Sequence, residues 1–540
     1  MNTLKPRIAS LLQQLNERVF EKEHIVALAL LSAVAGESIF LLGPPGVAKS
    51  MVGRRLKLAF RNASAFEYLM SRFSTPDEIF GPVSISKLKD EDTYERIVNG
   101  YLPSDTIAFL VEIWKAGPAI QNALLTIINE KIYRNGQFSI HVPLKGLVAA
   151  SNELPAQGQG LEALWDRFLI RCLVGGIEDM GEFDRMISST DETEPVVDEQ
   201  LQITDEEYIR WEKEMAAIKI HYSIFEVIHA LKDRIEQYNL QIQNEGGVSS
   251  PLYVSDRRWK KMVKLLKASA FLNGSDTIRL SDCTLLSYCL WSEMDQMEAA
   301  EEMVNAAIQK SAEGYLLNIK GLEQDIEELK DQQSSEHSLR EVNDPGIQVI
   351  DTYYYQVEGV RMKERLLIFA ADYQHLDQTG KLFYLHKDKY KANCCILKKY
   401  DSILHAKVPR NKIYTLKKGL RSIYINNYEY HLMCYEDCPP PPPEPEPEDF
   451  GAKYKSVAEA LDRVEKDWSG LLDAETEYYE KHLFLSEKQR ASMRRMLRHQ
   501  KNTIDRYKND LNEMADAYRK ENQEYKVERS EDNLFSGTER

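Results

Sequence analysis

The chain has 540 residues, and at about 150 residues per domain this length predicts three or four domains, with cores large enough to fold without disulfides. Its 85 Asp and Glu residues outnumber its 69 Lys and Arg residues, and the net charge of −16 argues against a nucleic-acid partner because phosphate binding requires clustered positive charge. The sequence has no apolar run of 18 residues, no signal-peptide pattern and few cysteines, so we expect a cytoplasmic protein without a transmembrane segment.

Short apolar runs alternate with amphipathic stretches through residues 1–195, and this alternation predicts a mainly parallel sheet between layers of helices. The runs expected to form strands are Glu37–Leu42, Thr106–Val111 and Gly146–Ser151. Residues 204–295 then show helical periodicity with few strand signals, which predicts a separate all-α domain. The predicted fold class is therefore α/β, with an αβα domain followed by a helical one.

A helical seam appears both before and after a β-rich segment. Apolar residues recur at steps of three and four within residues 300–335 and again, as two stripes, within residues 454–526. Residues 346–438 between them are rich in Tyr, Ile and Val, and residues 439–449 form a proline-rich linker. We expect a three-helix coiled-coil domain interrupted by a small inserted β-rich domain. The alternative is that each helix packs elsewhere or self-associates.

A loop rich in glycine and proline stands between a predicted strand and a predicted helix. It consists of Gly43, Pro44, Pro45, Gly46, Val47, Ala48, Lys49 and Ser50. Glycines let the backbone wrap closely around phosphate, and the following helix presents free N–H groups with a partial positive charge. We expect Lys49 to reach the β- and γ-phosphates of ATP and Ser50 to ligate Mg²⁺. The usual pattern has Gly at the position of Ala48, and the competing interpretation is an ordinary turn.

Two further strands are followed by polar residues that suit nucleotide hydrolysis. Glu112 follows the second strand, where a carboxylate can polarise the attacking water. The preceding position normally supplies an Asp for Mg²⁺, but here it is Val111, whose side chain cannot coordinate metal. Asn152 follows the third strand and can orient the water against Glu112, although Asn in this place is also a common turn former. The pattern predicts nucleotide binding with weakened hydrolysis.

Together these segments resemble the MoxR family of AAA+ ATPases, and within it they look closest to the RavA branch. The segments that carry the resemblance are residues 43–50, 80–82 (Phe-Gly-Pro), 112–117 (Glu-Ile-Trp-Lys-Ala-Gly), 123–130, 150–155 and 253–261. Strong similarity covers about Leu11 to Leu272, and beyond it only the architecture is similar. Proteins of this branch carry Asp where this chain has Val111. The resemblance implies an AAA+ P-loop core, an all-α lid, and ATP or ADP with Mg²⁺ as cofactors.

The resemblance also implies roles for two arginines. Arg167 matches the arginine finger, which stabilises charge on the γ-phosphate of a neighbouring subunit, and the plainer alternative is an Arg paired with Asp166. Arg257 matches the sensor 2 arginine of the lid, and the motif does not exclude the adjacent Arg258. An arginine that acts in trans requires a homo-oligomer, and the family implies a hexameric ring.

The leading hypothesis is an ATPase that remodels or helps assemble partner proteins, with Glu112, Asn152, Arg167 and Arg257 as its catalytic residues. The family's partners include von Willebrand factor A-domain proteins. The β-rich domain is expected to bind a partner, and whether that partner is a lysine decarboxylase, as in RavA, stays open. The alternatives are a nucleotide-binding scaffold with little turnover, which Val111 favours, and a DNA- or RNA-directed motor, which the acidic composition disfavours.

Overall fold

The computed structural model describes residues 4–90, 92–156, 158, 160–189, 193–245, 250–315, 321–330, 347–351, 353–376, 380–387, 393–402, 405, 408–419, 421–434 and 448–535. The chain divides into two compact units. The first comprises Met1–Asn318 and Asp467–Lys501, and the second comprises Ile319–Lys466 and Asn502–Arg540. Among the described residues, no helix combines the length and apolarity that crossing a bilayer requires.

The first unit is built on a five-stranded parallel sheet with the strand order β2-β3-β6-β1-β7. The strands are β1 Ser38–Leu42, β2 Ala65–Leu69, β3 Ile107–Val111, β6 Gly146–Ser151 and β7 Phe168–Leu173, and β4 Ile132–Asn135 pairs with β5 Phe138–His141 in a separate hairpin. The helices are α1 Leu4–Leu15, α2 Glu23–Val34, α3 Lys49–Leu58, α4 Pro76–Phe80, α5 Ile85–Asp90, α6 Pro118–Glu130, α7 Glu162–Trp165 and α8 Met180–Ser188. β1 and β6 are buried along their whole length because helices cover both faces, which explains their continuous apolar sequence. The predicted αβα core is confirmed.

A helical region follows the sheet in the first unit. It contains α9 Asp205–Ala217, α10 Tyr222–Glu245, α11 Asp256–Leu272, a 3₁₀ turn Leu280–Leu286, α12 Ser287–Leu290 and α13 Gln296–Tyr315. A capping box at Thr204 begins α9, since its hydroxyl accepts the N–H of Glu207 and the Glu207 carboxylate accepts the N–H of Thr204. The prediction of an all-α domain after the core is therefore confirmed.

The second unit contains an eight-stranded sheet whose strand order is β15-β14-β13-β11-β12-β10-β9-β8. The strands are β8 Val349–Ile350, β9 Tyr354–Val357, β10 Arg365–Phe369, β11 Lys381–Lys387, β12 Cys394–Lys399, β13 Ile413–Lys418, β14 Ser422–Ile425 and β15 Tyr428–His431, and the short helix α15 Ala370–Gln374 follows β10. Bridges from Val357 to Leu432 and from Ile347 to Cys434 join the two ends of the sheet, so it closes into a small barrel. Alternate residues such as Phe383, Leu397 and Leu416 fill its interior. The predicted β-rich segment is therefore present.

Three helical segments accompany the barrel in the second unit: α14 (321–330) and the parts of α16 Glu448–Glu480 and α17 Glu487–Phe535 assigned to that unit. Ion pairs connect the three pairwise. They join Lys330 to Asp510 at 2.6 Å, Lys453 to Glu328 at 3.0 Å, and Lys508 to Glu465 at 2.5 Å. The buried residues follow the predicted seams and include Leu322, Ile326, Leu329, Val457, Leu461, Ile504 and Leu511. Residues 435–447, with most of the proline-rich linker, lie outside the described residues.

The boundary between the two compact units falls within the segments predicted to form the three-helix domain. Val304 and Ile308 lie in α13, which belongs to the first unit, where the Ser311 hydroxyl donates to the Ser223 carbonyl at the start of α10 at 2.8 Å. The turn between α16 and α17 also belongs to the first unit. A helical seam in the sequence predicts which residues of a helix are buried, but it does not predict which neighbouring helix covers them.

A buried polar network holds that turn on the helical region. The Asp282 carboxylate accepts hydrogen bonds from the Ser269 hydroxyl at 2.6 Å and from the Tyr478 hydroxyl at 3.1 Å. His482 contacts the same carboxylate through Nε2 at 3.0 Å, while its Nδ1 accepts the N–H of Phe484 at 3.1 Å. This pairing selects the neutral imidazole with the proton on Nε2, because a proton on Nδ1 would oppose the Phe484 N–H. Burial lowers the pKa of His482, although Asp282 opposes the shift.

We expect His482→Ala to destabilise the docked turn by about 1–3 kcal/mol, because the buried Asp282 carboxylate loses a donor. The Leu483 N–H, which donates to Asn273 Oδ1 at 3.0 Å, should then exchange with solvent faster. Since the folded state lowers the pKa of His482, the network should have full strength above pH 6.5 and weaken as the pH falls below that value. Amide hydrogen exchange measures both effects, with Lys481→Ala as the exposed control. Equal exchange in the two variants would contradict the prediction.

Candidate nucleotide-binding site

The predicted nucleotide-binding residues meet at one edge of the parallel sheet. β3, β6 and β1 are neighbours, with Val111 in register with Ala150 and Leu42 with Ser151. The residues that follow their carboxyl ends are Glu112, Asn152 and Gly43. Open α/β sheets bind ligands at this edge because the loops after the strands converge there.

The loop between β1 and α3 has the backbone conformation that its sequence predicts. Gly43 lies so close to the Val174 carbonyl that an added Cβ would stand 2.1 Å from its oxygen, so only glycine fits there. Gly46 has φ +85° and Ala48 has φ +62°, both in the left-handed region. The departure from Gly at position 48 therefore has a physical cost of about 1 kcal/mol, since a Cβ disfavours this region. α3 begins at Lys49, with its free N–H groups next to the loop.

Lys49 is the centre of the site. Its ammonium group donates to the carbonyls of Gly43 at 2.5 Å and Pro44 at 2.8 Å, and to Asn152 Oδ1 at 2.9 Å. Burial lowers the pKa of Lys49, and the nearby Glu112 carboxylate offsets part of that shift. The structure thus brings together two residues that lie 103 positions apart and that the sequence assigned to one site.

Glu112 has an unusual backbone and a cationic neighbour. Its φ of 54° and ψ of 44° place a non-glycine residue in the left-handed region, a strain that is common at functional sites. The Lys115 ammonium lies 3.1 Å from its Oε2, and the Ser151 hydroxyl donates to the same oxygen at 3.4 Å. Sequence reasoning missed both partners. The spacing of three residues between Glu112 and Lys115 was the available signal, because a 3₁₀ turn brings such residues together.

Val111 ends β3 with an aliphatic, half-buried side chain. Its carbonyl accepts the N–H of Met70 at 2.8 Å, so the backbone of the strand is intact at this point. Ser50 stands in the first turn of α3, where a hydroxyl oxygen suits Mg²⁺. The donor set fits a magnesium ion held by Ser50 and nucleotide oxygens, without the carboxylate that position 111 usually supplies.

The segment carrying Arg167 is tied to the helical region by two buried arginines. Arg258 donates to the carbonyls of Cys289 at 2.7 Å and Leu169 at 3.1 Å, and its guanidinium lies 3.6 Å from an Asp166 oxygen. Arg171 donates to the Trp165 carbonyl at 3.1 Å and lies over the Trp165 ring, 3.8 Å from its centroid. Burial lowers the pKa of both guanidinium groups. Arg258 therefore has a structural role, because it joins the segment around Asp166 to the helical region.

Arg167 and Arg257 lie near each other. Arg167 forms an ion pair with Asp166 at 3.2 Å, which is the plainer alternative that the sequence left open. Its pKa is lowered by burial and further by the positive charge of Arg257. Arg257 is exposed and donates to the side chain of Asn129 at the end of α6.

These two arginines stand at the other end of the sheet from the P-loop. Arg167 precedes Phe168, which is in register with Ser38 at the amino end of β1. One helical turn beyond Arg257, Lys261 pairs with Glu37, which also precedes β1. A five-residue strand spans about 16 Å, so neither arginine lines the P-loop of its own chain.

Aromatic rings connect the parts of this arrangement. Trp114 follows Glu112 closely, Trp165 precedes Arg167, and Trp291 belongs to the helical region. The ring centroids of Trp114 and Trp165 are 5.7 Å apart, and those of Trp165 and Trp291 are 6.1 Å apart. Trp165 therefore packs against both Trp114, next to Glu112, and Trp291 of the helical region.

Adjacent parallel strands that end in a P-loop, a glutamate and an asparagine, followed by a helical lid, define a P-loop protein of the AAA+ class. The family models agree with this class. One, described as the MoxR domain in the MoxR-vWA-beta-propeller ternary systems, matches residues 6–208, and an AAA lid domain matches residues 223–304. The chain belongs to the MoxR-type AAA+ ATPases.

Several curated proteins are similar to part of this chain. One uncharacterized protein of Methanocaldococcus jannaschii is 40% identical over 284 residues, which cover 53% of this chain and 71% of that protein. A second uncharacterized protein of the same organism is 36% identical over 316 residues, covering 58% and 78%. A structural protein of Acidianus two-tailed virus is 29% identical over 177 residues, covering 32% and 29%.

Proposed function

We propose that this chain binds ATP with Mg²⁺, hydrolyses it slowly, and uses the cycle to remodel or assemble partner proteins in the manner of a chaperone. The contact of Lys49 with Asn152 across the ends of β1 and β6, beside Glu112, is the observation that carries this proposal. The Lys49 ammonium donates hydrogen bonds to two loop carbonyls, and phosphate oxygens can replace those carbonyls as acceptors when a nucleotide binds.

In the proposed reaction, each polar residue has a separate task. The P-loop N–H groups and Lys49 would hold the phosphates, while Ser50 would hold the metal, whose charge would stabilise the transferring phosphoryl group. Glu112 accepts a proton from the attacking water and Asn152 fixes the position of that water. Glu112 has to leave Lys115 to do so, because the ion pair occupies one of its oxygens in this structure.

A second copy completes the proposed site. Arg167 and Arg257 lie at the amino end of the sheet, so they can reach a nucleotide only in a neighbouring subunit. Arg167 would leave Asp166 to contact the γ-phosphate, and Arg257 would contact it from the lid. We propose a closed ring, and the family resemblance favours six subunits.

The proposed partner is a von Willebrand factor A-domain protein. The matching family model is named for ternary systems of a MoxR domain, a vWA domain and a β-propeller. The barrel of the second unit, comparable in position to the insertion of RavA-like proteins, is the proposed place of partner binding. Co-purification with a vWA protein, lost on deleting residues 346–438, would support both statements.

Replacing Lys49 with Ala tests the nucleotide site. The variant should lose affinity for a fluorescent ATP analogue by at least about 100-fold, because the charge-assisted bonds to phosphate disappear. Lys57→Ala, in the last turn of the same helix, is the matched control and should bind as the natural chain does. Unchanged affinity in the Lys49 variant would contradict the assignment.

A further inference from the structure

The short helix α8, Met180–Ser188, presents an apolar surface to solvent. Met180, Phe183, Met186 and Ile187 are 71%, 39%, 37% and 61% exposed, and they fall within one arc of about 120° at 100° per residue. A surface helix normally turns such an arc toward the core. We refer to these four side chains as the α8 patch.

The helix is held by its polar side and its N-terminus. The Glu21 carboxylate accepts the N–H groups of Glu178 at 2.8 Å and Asp179 at 2.5 Å, and Asp179 caps the helix by accepting the Glu182 N–H at 2.9 Å. Arg185, on the opposite side from the patch, lies over the Phe20 ring. These contacts fix the orientation of α8, so the four side chains of the α8 patch are held toward solvent.

The α8 patch lies at the P-loop end of the sheet. It follows the carboxyl end of β7, where the Val174 carbonyl touches Gly43 of the P-loop and the Gly176 carbonyl accepts a hydrogen bond from Lys22 at 3.2 Å. A neighbouring copy that brings Arg167 and Arg257 to this nucleotide site has to approach over this end. We refer to the surface around Arg167 and Arg257 as the arginine face. It carries an apolar side chain of its own, Tyr253, which is 77% exposed.

We propose that the α8 patch is the seat on which the next copy of this chain docks, with its arginine face toward the P-loop. Head-to-tail contacts of this kind join two different surfaces of the chain and can close into a ring. The proposal rests on the proposed function for its geometry, since the nucleotide site is incomplete without Arg167 of a second copy. Burial of the patch then couples assembly to completion of the site.

Phe183→Glu tests the seat by placing a charge in the middle of the patch. With an ATP analogue and Mg²⁺, the natural chain should form oligomers in analytical ultracentrifugation, and the variant should assemble at least about 100-fold more weakly because a buried, unpaired charge is costly. Ser188→Glu puts the same charge on the polar side and should assemble normally, and Ile187→Ser should have a smaller effect in the same direction. The variant should keep its affinity for the fluorescent nucleotide, which separates loss of the seat from failure of the nucleotide site.

Mixing two variants tests whether a second copy of this chain is the molecule that docks on the α8 patch. Arg167→Ala keeps the seat and the P-loop, whereas Phe183→Glu keeps the arginine face, so the mixture should recover turnover that each lacks alone. A Phe183→Glu variant that assembles like the natural chain would overturn the proposal. So would a natural chain that stays monomeric in nucleotide, or a mixture that recovers no turnover while the two variants co-assemble. Loss of nucleotide binding in the natural chain would instead contradict the proposed function.

Discussion

Val111→Asp should raise the rate of ATP hydrolysis by about 10²-fold to 10³-fold, by analogy with the effect of one preorganised electrostatic group on a transition state. Position 111 ends β3 in register with Ala150, beside the strand that leads to Asn152. A carboxylate there would complete the magnesium shell that Ser50 begins. Nucleotide affinity should change little, because the P-loop and Lys49 make the ground-state contacts. Steady-state phosphate release and titration of a fluorescent analogue measure the two quantities separately.

Val111→Asn is the matched control for this substitution. It has nearly the shape of Asp but no negative charge, so it should recover far less turnover if charge at the metal is what the natural chain lacks. A natural chain that hydrolyses ATP as fast as the Asp variant would contradict this account of position 111. Another group would then handle the metal.

Arg167→Ala should reduce turnover by about 10³-fold or more, which is the effect of an arginine finger on phosphoryl transfer. The variant should still bind nucleotide, since Arg167 stands at the amino end of the sheet and Lys49 at the carboxyl end. Mixing it with Lys49→Ala should restore part of the activity. In such rings a Lys49→Ala copy supplies Arg167 to the intact P-loop of an Arg167→Ala copy.

Arg171→Ala is not a useful control for this experiment, because Arg171 is buried and its loss would disturb β7. Arg210→Ala is better, because that guanidinium is exposed and pairs with Glu214 on the surface of α9. Its turnover should stay close to that of the natural chain. If mixing fails to restore activity although the variants co-assemble, Arg167 acts within its own chain or only supports the fold through Asp166.

The core of the fold follows from short-range patterns in the sequence. The three predicted strands appear within one residue of their expected bounds, since continuous apolar runs between turns are typical of buried parallel strands. The helical seams also marked buried residues correctly, as at Leu461 and Ile504. Their division between the two compact units was harder to predict, because Val304 and Ile308 lie in the first unit whereas Leu461 and Ile504 lie in the second.

Site residues that belong to a short sequence motif were predicted from the sequence. Site features that depend on how the helices and strands pack were not. Lys49 and Asn152 were assigned together because both follow parallel strands, and they are 2.9 Å apart. Arg257 is exposed and Arg258 is buried, a difference that the sequence of two adjacent helical residues does not reveal. The α8 patch was also not foreseen, because its apolar spacing is that of an ordinary core helix.

We propose that this chain turns over ATP at the site built on Lys49. The most direct test is phosphate release by the natural chain, assembled at saturating ATP and Mg²⁺, with Lys49→Ala measured alongside as the blank. We expect slow phosphate release that is clearly above that of the Lys49 variant and that rises with Val111→Asp. Release at the level of the Lys49→Ala blank, in a chain that still binds ATP, would contradict it and leave a nucleotide-binding scaffold.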